Sequence, residues 1–146
     1  MIIKWKEQNS MDPVPEGLYL VQVLGVKKGE SLNGNPTLKW ELKIIEGEHK
    51  GRHLFENHTL TPKAIWRLSW FVSELGIDVK KIPDMNTDSE EFNKVLSLCK
   101  DRTIYVQVTI DSWEGKERNK VIEYAKNDEQ ADIDVNLNDI PDWVKK

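Results

Sequence analysis

Residues 36–60 read P-T-L-K-W-E-L-K-I-I (36–45), E-G-E-H-K-G (46–51) and R-H-L-F-E-N-H-T-L (52–60). The first piece alternates strictly. Leu38, Trp40, Leu42 and Ile44 share one parity, and Thr37, Lys39, Glu41 and Lys43 the other. Period-two alternation places one side of a strand on a core and the other in solvent. The middle piece is a turn bounded by glycines, and the third is a returning strand. This hairpin has a basic outer face, with Lys39 and Lys43 on either side of Glu41. It is a surface suited to an extended anionic ligand, and the remaining chain reads as closing a small barrel around it.

At 146 residues the chain is long enough for one domain with its own core. With 38% hydrophobic and 32% charged residues it has a soluble, globular composition, and no apolar run approaches a membrane span. The start, M-I-I-K-W-K-E, is too short and too charged for a signal peptide. A single cysteine, Cys99, rules out an internal disulfide framework and fits a reducing cytoplasm. The net charge of −4 is unevenly spread. Residues 1–126 hold 19 Lys/Arg and 19 Asp/Glu, whereas residues 127–146 hold 2 Lys and 6 acids. A basic patch on the neutral body is therefore compatible with the acidic total.

Taken in order, residues 1–16 read as an arm ending in the turn cluster D-P-V-P-E-G (12–17). Trp5 in that arm is either a lid on the body or part of an interface. Leu18–Val26 reads as a strand buried on both sides, with Gly25 marking a bend or bulge. Residues 27–35 (K-K-G-E-S-L-N-G-N) read as a mobile loop. After the central hairpin, Thr61 and Pro62 open a helix that ends at Gly76, with Ala64, Ile65, Leu68, Phe71, Val72 and Leu75 as its apolar stripe. A second helix carries Phe92, Val95, Leu96 and Cys99 on one face, with Thr87 and Glu90 as its capping box. Arg102–Asp111 is a strand with Ile104, Val106, Val108 and Ile110 inward. S-W-E-G-K (112–116) is a hairpin tip, and residues 117–126 pair back.

This order predicts a mainly β protein with helices. Five strands with a helix between the third and fourth, plus one extra helix, is the order of the OB-fold, a five-stranded Greek-key barrel. The domain spans residues 1–126. Residues 127–146 are predicted to be an acidic, disordered tail with a short apolar insert around Ile140 and Trp143.

No nucleophile, phosphate-loop or zinc-protease motif is present, so an enzyme is not expected. His49, His53 and His58 are spaced so that a hairpin cannot gather them on one face, and they read as surface histidines. No metal or cofactor is expected. What remains is a set of cations beside aromatics, the pairing that binds phosphates and stacks bases of single strands. The candidates are Lys27 and Lys28 in the first loop, Lys39, Lys43 and Arg52 on the central hairpin, and Lys116, Arg118 and Lys120 at the tip. Trp113, Phe55 and Tyr105 are the candidate stacking residues. Trp40 belongs to the core. Trp66 and Trp70, four apart on the helix, are either covered by the second helix or the arm, or form an exposed patch for a partner. Trp143 and Ile140 suggest a docking peptide.

Several stretches in the same order also resemble a known family. They are P-E-G-L-Y-L-V-Q-V (15–23), N-G-N-P-T-L-K-W-E-L-K-I-I-E-G-E-H-K-G-R-H-L-F-E-N-H-T-L (33–60), K-A-I-W-R-L-S-W-F-V-S-E-L-G-I (63–77) and W-E-G-K-E-R-N-K-V (113–121). They are similar to a phage and prophage family, formerly a domain of unknown function, whose members are thought to be OB-fold single-stranded-DNA-binding proteins. The resemblance covers roughly residues 14–126 and implies no catalytic residues. It implies single-stranded DNA as the partner, a setting in phage DNA replication or recombination, and the host cytoplasm. The tail segment Asp139-Ile140-Pro141-Asp142-Trp143 is similar to the acidic, partner-recruiting tips of bacterial single-stranded-DNA-binding proteins, although Val144-Lys145-Lys146 follow here. Replication or recombination proteins are the partners it implies, and a homo-oligomer is compatible with the sequence. The alternative from another class is a protein-interaction module, an adaptor or inhibitor that uses Trp66, Trp70 and the tail on a barrel scaffold.

Overall fold

A computed structural model describes residues 12–133, with only the backbone of Trp113. Trp5, Ile140 and Trp143 lie outside the described residues. Five strands form one antiparallel sheet: β1 (Gly17–Glu30), β2 (Pro36–Ile44), β3 (His53–Thr59), β4 (Thr103–Trp113) and β5 (Lys116–Lys126). Their order across the sheet is β3-β2-β1-β4-β5. Between β3 and β4 come α1 (Ile65–Glu74), a 3-10 turn (Val79–Lys81) and α2 (Glu90–Cys99). No helix among the described residues is long and apolar enough to cross a membrane.

β1 is the strand that curls the sheet. Its first part, from Gly17 to Gln22, pairs with β4, and its longer second part, from Val21 to Glu30, pairs with β2. A register shift between Val23 and Gly25 leaves Leu24 unpaired, the bulge that Gly25 predicted. Such a bulge bends the strand, so one strand can serve two differently oriented partners. A second shift, between Gln107 and Val108, leaves Ile122 of β5 without an opposite residue.

The central alternation is realised as read: Leu38, Trp40, Leu42 and Ile44 are all fully buried. β1 departs from its reading in part: Leu20, Val21 and Val23 are buried, but Leu18 is exposed and Gln22 and Leu24 are only half-buried. Lys27–Glu30 is strand rather than loop, held in register opposite Pro36–Lys39. The turn is only Ser31–Asn35, closed by Ser31 N donating to Asn35 O (2.8 Å) and Asn35 N to Ser31 Oγ (3.1 Å). The ladder supplies the order that composition alone did not predict. At the β4–β5 tip, Glu114 (φ 50°) and Gly115 (φ 78°) are both left-handed. That is the two-residue type I′ geometry matched to strand twist.

α1 buries Leu68, Phe71, Val72 and Leu75 against the inner face of the sheet. Phe71 lies between Trp40 (4.9 Å between ring centroids) and Tyr124 (5.0 Å). The helix starts at Ile65, later than predicted. Thr61–Ala64 form a turn in which the Thr61 carbonyl, not its hydroxyl, accepts from Ala64 N (3.0 Å) and Ile65 N (2.9 Å). Ile65 therefore sits above the stripe and is exposed. α2 is capped two residues after the predicted Thr87, with Ser89 Oγ accepting from Phe92 N (3.1 Å). It buries the predicted Phe92, Val95, Leu96 and Cys99. Burial pushes the Cys99 thiol up to about 12, which keeps it protonated and unreactive.

Residues 127–133, read as the start of a disordered tail, are docked. Ile133 pairs with Ile77 and donates its N–H to Gly76 O (2.8 Å). Gln130 donates to the Leu75 and Thr103 carbonyls (3.2 and 2.9 Å). Gly76 (φ 90°) ends α1 where a Cβ would collide with the Arg102 guanidinium. That guanidinium reaches across to the carbonyls of Leu75 and Ala131. Polar side chains, Gln130 and Arg102, make most of this attachment, with Ile133 as its one apolar residue against the core, so composition did not reveal it.

Candidate nucleic-acid interface

Registers place the outer-face side chains in rows across β1, β2 and β3. One row is Lys27, Lys39 and Asn57; the next is Gly25, Glu41 and Phe55; the third is Gln22, Lys43 and His53. Lys39 Nζ lies 4.9 Å from the centroid of the Phe55 ring, which is about half exposed. Glu41 accepts from His53 Nδ1 at 2.8 Å. The surface is thus an exposed aromatic ring with lysines around it and the intervening carboxylate occupied.

The edge strands β3 and β5 face each other, with α1 beside both, and a groove of about 760 Å³ opens along them. Lys39 and Phe55 reach it from the hairpin, Arg52 from the end of the turn, and Arg118, Lys120 and Ile122 from β5. Residues 12 and 13 form one end. The chain there is pinned by Asn119, whose side chain accepts from Val14 N (2.8 Å) and donates to Val14 O (2.9 Å). Arg52 donates to the Asp12 carbonyl. Five Lys/Arg line the groove (Lys39, Arg52, Arg67, Arg118, Lys120) against three acids (Asp12, Glu56, Asp111). The groove is basic on a body whose sequence is neutral.

Its floor is a buried polar chain. Trp40 Nε1–H donates to His58 Nδ1 (2.8 Å), which leaves the proton on Nε2 to donate to the Tyr124 hydroxyl oxygen, Oη (2.8 Å). The Tyr124 hydroxyl donates to Glu56 Oε2 (2.5 Å), and Arg67 donates to the same oxygen (2.9 Å) and to the Val121 carbonyl (2.8 Å). The Arg67 guanidinium also lies over the Tyr124 ring, 4.9 Å from its centroid. Burial, and secondarily the Arg67 charge, hold the His58 imidazole down at about 3, so it is neutral. Burial and the Glu56 carboxylate push the Tyr124 phenol well above its ordinary value. Every link joins β2, β3, β5 or α1 to a neighbour, so side chains tie β3 to β5.

Of the residues expected at the site, Lys39, Arg52, Phe55, Arg118 and Lys120 come together. Lys27 and Lys43 stand on the same outer face but do not line the groove. Lys28 points the other way: its Nζ donates to Thr87 O (3.0 Å) and lies over the Phe92 ring of α2. Lys116 is exposed at the tip, opposite Trp113 in the ladder. Tyr105 is in register with Leu20 and Ala125, away from the groove. Trp66 is exposed and stacked on Trp70 (6.2 Å, 19°), and Trp70 is half-buried against Tyr124 (4.7 Å).

The surface reading of the histidines fails for His58, which is 1% exposed. The described residues contain no grouping of His, Cys, Asp or Glu that could hold a metal ion. The sequence reading also missed Glu56, Arg67 and Tyr124. One signal was present: Glu56 and His58 share parity with Leu54 and Leu60, which marks the inward side of β3.

Over residues 3–133 the chain matches the model of the family described as "Protein of unknown function (DUF669)", and it belongs to that family. No curated protein matches it.

Proposed function

We propose that this protein binds single-stranded DNA without strong sequence preference, on a five-stranded Greek-key barrel of OB type. The reading gives it a non-catalytic role, protecting or presenting strands during phage replication or recombination, with no metal or cofactor. The observation that carries it is the meeting of Lys39, Arg52, Phe55, Arg118 and Lys120, from separate stretches of sequence, around one groove. Cations that track phosphates beside a flat ring that stacks on bases are the two requirements for single-strand binding. An OB-type barrel uses the face of its second and third strands and the two hairpin loops beside it. Here β2 and β3 carry Lys39 and Phe55, and the β1–β2 and β4–β5 hairpins carry Lys27 and Lys116.

The test is intrinsic tryptophan fluorescence during titration with oligo-dT, at several salt concentrations and against duplex. Saturable quenching by the single strand is expected, with much poorer binding of duplex. If four cations contact phosphates, log K falls against log salt with a slope near ~3, at about 0.7 per contact. Arg118→Glu is expected to weaken binding far more than Lys145→Glu. A flat response at low salt from folded protein would overturn the reading.

A further inference from the structure

The helix α1 carries an exposed indole that the groove does not use. Trp66 is 59% exposed. It is stacked nearly parallel on Trp70, which is braced on Tyr124 at 4.7 Å. Trp66 is therefore the outer ring of a stacked pair whose inner ring leans on Tyr124 at a tilt of 54°, and more than half of it is open to solvent. The stack is not isolated from the groove. Arg67, the next residue in the chain, lines the groove while its guanidinium lies over both the Trp70 and Tyr124 rings. Charge runs the same way: from Thr61 to Ser73 the chain has Lys63 and Arg67 and no acid.

We infer that Trp66 is a base-stacking subsite that extends the groove onto α1, taking a nucleobase of the same single strand. The inference rests on the proposed single-strand reading and adds to it a nucleotide position off the sheet. Three features select a nucleic acid base over an apolar protein segment as the occupant. The platform is one flat face rather than a pocket. Its flanking side chains are cationic, complementary to a polyanion. It adjoins the groove through the shared Arg67. The contact is insensitive to base identity, because every base presents a π-face. A strand that follows the groove past Arg67 reaches Trp66 next, so the subsite is filled only by strands long enough to pass it.

The experiment compares wild type, Trp66→Ala and Trp66→Phe over an oligo-dT ladder of about 4 to 16 nucleotides, the range of single OB folds. Melting curves serve as the folding check, and an exposed residue tolerates truncation. Loss of one base stack is expected to weaken long oligonucleotides by about tenfold in Trp66→Ala. The shortest strands that bind should be unaffected, and Trp66→Phe should retain most of the affinity. Equal affinities of wild type and Trp66→Ala at every length, with Phe55→Ala still weakened, would overturn the subsite and leave the groove standing. No binding by wild type at low salt would instead overturn the groove reading on which the subsite rests.

Discussion

β2 and β3 are neighbours in one antiparallel ladder, yet their inner faces are built on different principles. The inner face of β2 is Leu38, Trp40, Leu42 and Ile44, which is apolar throughout except for the indole N–H. The inner face of β3 is Leu54, Glu56 and His58, two polar residues of three, and all three are buried as well. β2 lies between two strands, so its backbone is satisfied on both sides and burial alone can hold its side chains. β3 is an edge. It is joined to β5 by side chains, through His58 and Glu56 to Tyr124. An apolar inner face would bury as well but would not fix which residue of β3 meets which residue of β5. Directional bonds do fix it, and unmade bonds at such a site are costly.

The largest effect tests the apolar side. Trp40→Ala removes a fully buried indole and strands His58 Nδ1, and is expected to cost at least about 4 kcal/mol in a urea titration. Trp40→Phe, which keeps most of the volume but lacks the donor, should cost much less. If the two variants were equally damaged, the hydrogen bond rather than the packing would be the main contribution of β2.

The next effect tests the polar side by pH. The His58 imidazole is held at about 3 in the folded protein, against about 6.5 unfolded. Below pH 6.5 the unfolded chain takes up a proton that the folded chain refuses. Stability is therefore fully present above about pH 6.5 and is lost as pH falls toward 3, by on the order of 3 kcal/mol at pH 4. His58→Leu should be weaker than wild type at pH 7 but flatter between pH 7 and 4. Parallel slopes for the two proteins would remove His58 as the source. Tyr124→Phe comes third. It deletes only the hydroxyl between His58 and Glu56, and Glu56 keeps Arg67 (2.9 Å), so a loss of about 1–2 kcal/mol is expected.

The same contrast decided what could be read before the fold was known. Period-two alternation in β2 is written in apolar residues, and every inward position there was identified correctly. The β5 tip and the bulge at Gly25 were legible because turns and bulges select particular residues. On β3 the inward positions are a carboxylate and an imidazole, whose composition reads as surface. Their burial is made possible by Arg67 and Tyr124, eleven and sixty-eight residues from Glu56, and sequence periodicity carries no information about partners so distant. The groove was half legible for a related reason. Cations can be listed from sequence, but whether Lys28 faces Phe92 or the groove depends on strand length, and the β1–β2 ladder runs four residues further than composition implied.

The smallest expected effect on stability is on the outer face of β3, and it separates folding from binding. Phe55 sits between His53 and Asn57 in the strand, about half exposed, with Lys39 over its ring. Among the described residues its ring contact is an exposed cation–π pair with Lys39, worth at most about 1 kcal/mol. Phe55→Ala should shift the urea midpoint barely at all, whereas Tyr124→Phe shifts it clearly. On oligo-dT the order should reverse. Removing a stacking ring costs about tenfold in affinity, while Tyr124→Phe leaves the groove-lining cations in place and should bind nearly as wild type. If Phe55→Ala unfolded the protein, the ring would have to be part of the core, against its exposure. If it left both stability and affinity unchanged, an exposed aromatic beside lysines would have no function in the groove, and the interface would have to be moved off β3.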